Sequence, residues 1–260
     1  MKMKRFNRFG FVMLIMVLMA IVSGCGGPAQ KNPTDTEVIS APSTSATTKK
    51  TDNNTSTTVD IDKILEEQRL QLENEQALRE DTTIAAKVAD AVIYQWQIDI
   101  KYNQNNAILE SYRMNLDTMD LSEEERAQLW EIYISMYPLS KKDILNELIR
   151  ELVIQIEAGK RGLVPADEDV IEDAQKQFDS IKKTAELYRS ARLHMEVMNL
   201  SEEAYFRLII DEHKKVAGQA KLYEQITERF DTKAEKDNAF NDTVDEWVAQ
   251  SDVVFINNYE

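Results

Sequence analysis

The amino-acid sequence predicts a mostly α-helical fold with a small β element formed by strands near the two ends of the folded part. Residues 61–260 contain only three glycines and two prolines, and they are rich in Glu, Gln, Lys, Leu, Ile and Ala, which favours long helices. Apolar residues recur at helical spacing over residues 144–156. Residues 84–94 and 253–256 instead have the composition of strands.

The first elements of this fold are predicted to be a helix, two strands and a second helix. Residues 61–80 have helical propensity but weak amphipathicity, which predicts an exposed helix that continues the preceding segment as a stalk. Residues 84–94 contain two β-compatible pieces, and Ala89, Asp90 and Ala91 between them predict a turn without the usual glycine. A helix is expected to follow over residues 95–114.

Five further helices are predicted from the residues at their ends. Ser122 stands three residues before Glu125, which is capping-box spacing, and Ser140 and Ser201 are placed to cap two others. Gly162 marks the end of the helix that follows Ser140. An acidic run opens one long helix after it. The predicted spans are 122–137, 140–162, 167–198, 201–228 and 232–249.

The N-terminus has the three parts of a secretory signal. A basic start precedes twelve apolar residues at 11–22, which are too few to span a bilayer comfortably, and small residues follow. The run Val22, Ser23, Gly24, Cys25 resembles the lipobox of bacterial lipoproteins. That resemblance implies a signal peptide over residues 1–24 and a diacylglycerol thioether on Cys25. The alternative is a short transmembrane anchor in which the cysteine is incidental.

Residues 25–60 are predicted to be the lipidated N-terminus and a disordered linker. Residues 26–60 hold three prolines, nine threonines and four serines with few large apolar residues, so they cannot offset the entropy of ordering. Two acyl chains anchor a protein stably. The expected location is therefore the cell membrane, with the protein lipid-anchored on the extracytoplasmic face.

The charge balance argues against nucleic acid as a partner. Removing the four basic residues of the signal from the 31 in the chain leaves 27 against 46 acidic residues, a net charge of −19. Such a chain repels phosphate backbones. Its only cysteine is the proposed acylation site, so no disulfide is expected.

The stretch after residue 143 resembles a known family. Residues 144–149 (Ile-Leu-Asn-Glu-Leu-Ile), the following Glu151-Leu152 and Gly162-Leu163 look like the signature of SurA N-terminal-type chaperone domains, which occur in SurA- and PrsA-type foldases and share architecture with the trigger factor C-terminal domain. Residues 200–206 and 232–257 resemble later parts of that domain. The resemblance covers residues 84–257. It implies that residues 61–260 form a multi-helix SurA N-terminal-like chaperone module with a small β element.

The resemblance also implies a function. It predicts a membrane-anchored extracytoplasmic chaperone, or holdase, that assists the folding of secreted proteins and has unfolded or secreted polypeptides as its partners. Foldases of this kind usually carry a parvulin isomerase domain before the closing helix, but here only four residues separate Ile226 from Asp231. No prolyl isomerase activity is therefore expected. The alternative is a lipoprotein adaptor or scaffold that binds one dedicated protein partner.

The sequence contains none of the common enzymatic motifs. It has no Gly-rich phosphate loop, no G-x-S-x-G, no H-E-x-x-H and no C-x-x-C, so no catalytic residue and no cofactor is predicted. The run Asp211, Glu212, His213 offers metal ligands, but adjacent helical residues point in different directions, and no metal site is predicted. His194 and His213 are interpreted as core or groove residues.

Methionines and tyrosines supply the candidate client-binding residues. Flexible thioethers and aromatic rings suit a groove that accepts varied apolar segments. The candidates are Tyr133, Tyr137, Met195 and Met198. The alternative for each is ordinary packing between helices.

Overall fold

The computed structural model describes residues 61–256, which form eight helices and a short three-stranded sheet. This confirms the predicted mostly α-helical class with a small β element. The predicted signal peptide, Cys25 and the linker lie outside the described residues. The elements are α1 Ile61–Leu78, β1 Ile84–Val88, β2 Ala91–Tyr94, α2 Gln95–Thr118, α3 Glu123–Met136, α4 Lys141–Lys160, α5 Asp167–Lys183, α6 Ala185–Val197, α7 Glu202–Thr227, α8 Lys233–Gln250 and β3 Val253–Phe255.

The sheet joins the two ends of the described chain. Its order is β2-β1-β3, and β1 is antiparallel to both neighbours. Val88 pairs with Ala91 on one side and with Val253 on the other. The sequence predicts a turn over Ala89, Asp90 and Ala91, and the turn is present, but it has two residues, Ala89 and Asp90, because Ala91 already belongs to β2. Ala89 has a φ of 52°, in the left-handed region that favours glycine. The predicted closing strand is also confirmed.

Side-chain caps begin several helices where the sequence predicts them. The hydroxyl of Ser122 accepts the amide of Glu125, and the carboxylate of Glu125 accepts the amide of Ser122 at 2.8 Å, which completes the capping box. Ser140 and Ser201 each accept the amide of the third residue of their helix. Gly162 follows α4 with a φ of 65°, as expected beyond a helix end.

The prediction that the first helix is exposed was wrong. α1 packs on α6, with Leu72 fully buried against Leu193. The amide nitrogen of Gln68 donates to the hydroxyl of Ser190 at 2.7 Å, and both side chains are buried. The helix therefore buries polar residues whose hydrogen-bond partners lie on neighbouring helices. Its apolar residues alone predict less burial than the structure shows.

The predicted long helix over residues 167–198 is two helices. Thr184 has an extended backbone (φ −102°, ψ 109°) and separates α5 from α6. Its carbonyl accepts the amide of Tyr188, which begins the next helix. The break lets α5 pack Phe178 against Tyr205 of α7, while α6 turns toward α1. An unbroken straight helix over residues 167–198 would have to use a single face to contact both α7 and α1.

α4 and α7 lie at the centre of the packing. α4 covers the sheet through Ile144 and Leu148, and Ile98 of α2 joins the same cluster. Ile154 of α4 packs with Leu222 of α7 against the last helix. The N-terminal half of α2 is therefore packed into the core. Within residues 61–256, no helix is both long and apolar enough to cross a membrane.

Candidate functional site

α3 and the C-terminal half of α2 form a helical hairpin, which we call the arm (residues 105–139). Every other described helix buries at least two residues, but no residue of α3 is buried. Its main packing partner is α2. Within residues 61–256, α3 is therefore supported mainly by α2, and much of its remaining surface is exposed.

One face of α2 supports α3. Asn105, Leu109, Tyr112 and Leu116 are buried and are spaced by four, three and four residues, which places them on a single face. The side-chain amide of Asn105 donates to the carbonyl of Pro138 at 2.8 Å and ties the end of the arm to this face. α2 reaches its C-terminus at residue 118, four residues beyond the predicted end, and the buried face extends with it.

Three tyrosines form the seam of the arm. The ring of Tyr112 stacks on that of Tyr133 with centroids 3.9 Å apart and planes 10° apart, and Tyr137 lies 5.9 Å from Tyr112. Burial raises the pKa of Tyr112 and of Tyr133 above the usual value, so both are neutral phenols at physiological pH. Stacked rings of this kind contribute about 0.5–1.5 kcal/mol beyond their buried area.

The outer surface of the arm carries several exposed apolar side chains. Five of the twelve large apolar side chains that are exposed in residues 61–256 belong to it. By helical spacing, Ile132 shares a face with Met136 and Ile134 shares one with Tyr137, so apolar groups flank the seam on both sides. The exposed fractions are Met114 65%, Met119 44%, Ile132 52%, Ile134 42% and Leu139 39%.

The four predicted client-binding residues occupy three different packing groups. Tyr133 and Tyr137 come together around Tyr112 in the arm. Met195 packs against the α5–α6–α7 cluster, and Met198 packs against the contact between α1 and α6. All four are half-buried.

The exposed aliphatic residues of α3 were missed by sequence reasoning. A signal for them was present, because the apolar residues of α3 are spread round the helix and do not form one stripe.

An ion cluster centred on the buried Lys101 joins the part of α2 that precedes the arm to the core. The ammonium of Lys101 on α2 lies 3.2 Å from a carboxylate oxygen of Glu151 and 3.5 Å from one of Glu147, both on α4. Glu212 and Lys215 of α7 form a further pair at 3.9 Å. Desolvation raises the pKa of all three carboxyl groups, and Lys101 opposes this at Glu147 and Glu151.

The ion cluster is a structural network by its geometry. Clustered ionisable groups with perturbed pKa values mark either active sites or ion-pair networks. Here the ammonium of Lys101 occupies the space between the carboxylates, and its side chain is only 7% exposed. In the described part of the chain, no three His, Cys, Asp or Glu side chains are placed to hold a metal ion.

The two histidines lie apart from the arm. His194 is buried beside Tyr205, with ring centroids 5.8 Å apart, and burial together with nearby Arg79 lowers its pKa to about 4. It lies in the core, one of the two environments that the sequence predicts for it. The Nε2 atom of His213 lies 2.6 Å from the side-chain oxygen of Gln177, to which it is hydrogen-bonded.

A shallow cleft of about 300 Å³ lies between α1 and α6. Arginines line it, but Arg69 pairs with Glu196 at 3.0 Å and Arg189 pairs with Asp62 at 2.5 Å. Three arginines and three acidic residues line it, so their formal charges balance. Its lining consists of Asp62, Leu65, Glu66, Arg69, Arg189, Arg192, Leu193 and Glu196.

No protein-family model, no curated protein and no solved structure matches this chain. The SurA-type resemblance therefore stays a hypothesis that rests on the residues named in the sequence analysis. The arm is the feature of the fold with the clearest bearing on function.

Proposed function

We propose that the protein is a membrane-anchored extracytoplasmic chaperone that holds apolar segments of secreted polypeptides on its arm. The observation that carries the proposal is the exposure of Ile132 and Ile134 on a helix that buries none of its own residues. Clustered exposed apolar groups in soluble domains mark sites of interaction. Thioethers such as Met114 adapt to partners of different shape.

Holding follows from the strength of such contacts. Each large apolar side chain that becomes buried contributes about 1.5–3 kcal/mol. Association and the ordering of a flexible client offset much of this gain. A few arm contacts therefore give reversible binding, without ATP and without covalent chemistry. The tyrosine seam keeps α3 packed on α2, so the apolar surface stays exposed through repeated binding and release of clients.

The membrane anchor in this proposal is a lipid on Cys25. Its support is the lipobox-like sequence from Val22 to Cys25. Metabolic labelling with a fatty acid, followed by membrane fractionation, tests it. Cys25→Ser is expected to lose both the label and the membrane fraction, and persistent acyl label in that variant contradicts the anchor.

Prolyl isomerase activity is not part of the proposal. Residues 228–232 alone connect α7 to α8, whereas an inserted isomerase domain needs roughly a hundred residues. A protease-coupled assay on a proline peptide is expected to show the uncatalysed rate. Catalysis well above background in clean protein contradicts this expectation.

Suppression of aggregation tests the holding function. The lipidated protein, in nanodiscs of zwitterionic lipid, is mixed with a chemically unfolded model protein at near-equal concentration, and light scattering is followed. The wild type is expected to suppress scattering, and the double variant Ile132→Ser, Ile134→Ser to lose most of this effect. The matched control is Ile171→Ser, Val216→Ser, because these residues are 46% and 56% exposed but lie outside the arm.

The same assay distinguishes a holdase from a dedicated adaptor. A holdase protects several unrelated clients, whereas an adaptor binds one. Absence of suppression by folded wild type across unrelated clients overturns the proposal, and a single crosslinked partner on the membrane then supports the adaptor.

A further inference from the structure

The apolar surface of the arm is surrounded by carboxylates. Between residues 110 and 131, seven acidic side chains face solvent, and the only basic residues there are Arg113 and Arg126, so this segment has a net charge of −5. The acidic residues are Glu110, Asp117, Asp120, Glu123, Glu124, Glu125 and Glu131.

Within the described residues these carboxylates are not held in ion pairs, although Arg113 lies one turn from Glu110 and from Asp117 on α2. Within residues 61–256, none of the ion pairs involves an acidic residue of the arm. Glu125 is engaged in its capping box with Ser122. Arg126 donates to the carbonyl of Met119. The other arm carboxylates are available to a ligand.

Helical spacing places carboxylates next to the apolar anchors. Glu110 lies one turn before Met114 on α2, and Asp117 lies one turn after it. On α3, Glu131 lies one turn before Ile134. Neighbours at this spacing have Cβ atoms about 5–6 Å apart. A bound segment that covers Met114 or Ile134 therefore brings its own neighbouring side chains to a carboxylate.

We propose that the arm selects apolar polypeptide segments that carry lysine or arginine beside their apolar side chains. This inference rests on the proposed holding function and specifies its substrate class. A second copy of the chain is a poor occupant, because two arms with the same negative surplus repel each other. Anionic lipid is repelled for the same reason. Basic apolar segments complement both the surface and its charge.

Peptide binding tests the selection. Three fluorescent peptides share one pattern of leucine and isoleucine and carry lysine, glutamine or glutamate at the positions between. Their dissociation constants for the full-length chain in zwitterionic nanodiscs are measured by anisotropy at low and high salt. The lysine peptide is expected to bind about tenfold more tightly than the glutamine peptide at low salt, because several exposed ion pairs each add a little. This preference is expected to shrink at high salt through screening.

Matched variants show which carboxylates cause the preference for the lysine peptide. Glu110→Gln, Asp117→Asn, Glu131→Gln together are expected to remove it without weakening the glutamine peptide. Glu203→Gln, Glu224→Gln and Asp242→Asn are the control, because these residues are exposed on α7 and α8 and the net charge changes equally. Loss of the preference in the control as well would assign it to overall charge and overturn the inference.

The remaining outcomes separate this inference from the proposed function. Equal affinity for the lysine and glutamine peptides, with aggregation still suppressed, overturns the charge selection and leaves holding intact. No binding of any peptide and no suppression overturns both. Sedimentation that shows self-association, abolished by Ile132→Ser with Ile134→Ser, would assign the arm to a second copy and overturn the inference.

Discussion

Replacing Lys101 by methionine should destabilise the protein strongly. The ammonium lies within 3.2 Å of Glu151 and 3.5 Å of Glu147, and it is the contact through which α2 meets the two acidic residues of α4. Methionine keeps most of the volume of the side chain and removes the charge. The variant therefore leaves two partly buried carboxylates facing each other, with Glu212 of α7 nearby.

The expected cost is about 3 kcal/mol in the free energy of unfolding at neutral pH. Removing one partner of a buried ion pair costs roughly 3–5 kcal/mol, because the remaining charge stays desolvated. The side chains of Glu147 and Glu151 are 27% and 18% exposed, so water reaches both carboxylates and places the expectation at the lower end.

Urea denaturation at two pH values measures this cost. Losing the ammonium raises the pKa of Glu147 and Glu151 further above their unfolded value of roughly 4.3. A carboxyl whose folded-state pKa is raised loses stability as the pH rises through that pKa, and it imposes no cost below the unfolded pKa. The difference between wild type and variant should therefore be largest near pH 7.5 and should shrink toward pH 5.

A matched control and a clear refutation complete the experiment. Lys176 pairs with Glu172 at 2.8 Å but is 65% exposed, so Lys176→Met is expected to change the free energy of unfolding far less than Lys101→Met does. If Lys101→Met costs no more than this control at pH 7.5, or if its cost grows as the pH falls, then Lys101 is not buried between carboxylates.

Three other predictions concern stability and protonation. Ala89→Gly should be neutral or stabilising by up to about 1 kcal/mol in thermal or urea unfolding, because it relieves a φ of 52°; a clear loss of stability would contradict the turn geometry. Deleting residues 232–260 should cost several kcal/mol, since Phe240 and Val244 are buried and each contributes about 1.5–3; an unchanged melting temperature would show that this segment is peripheral. His194 should titrate near pH 4 by NMR, because burial and Arg79 disfavour its charged form, and a value near 6.5 would place the ring in solvent.

The features that the sequence predicts well depend on residues close together along the chain. The capping box of Ser122 joins residues three positions apart, and the end of α4 needs only Gly162 and its neighbours. The turn at Ala89 follows from the two β-compatible segments that flank it. Short-range hydrogen bonds and periodicity are encoded locally, so a single sequence is enough to place them.

Other features depend on which helices meet. Helix propensity does not predict the break at Thr184. The break arises because α5 and α6 pack on different neighbours, and a threonine tolerates the extended backbone between them. The burial of Gln68 depends on Ser190, a residue of another helix. Sequence alone also predicts a groove from Tyr133 and Met195, but the structure places these two residues in different packing groups.

The candidate site also has some features that the sequence predicts and others that depend on which helices meet. The apolar and acidic residues of α3 can be read directly from the sequence, and their helical spacing follows from the capping box that begins the helix. Their exposure cannot be predicted in this way, because an apolar helix is normally buried, whereas in the described part of the chain α3 packs mainly on α2 and leaves Ile132 and Ile134 in solvent. Likewise, Lys101 becomes an ion-pair centre because packing brings α2 against α4, which removes water from charges that are far apart in the chain.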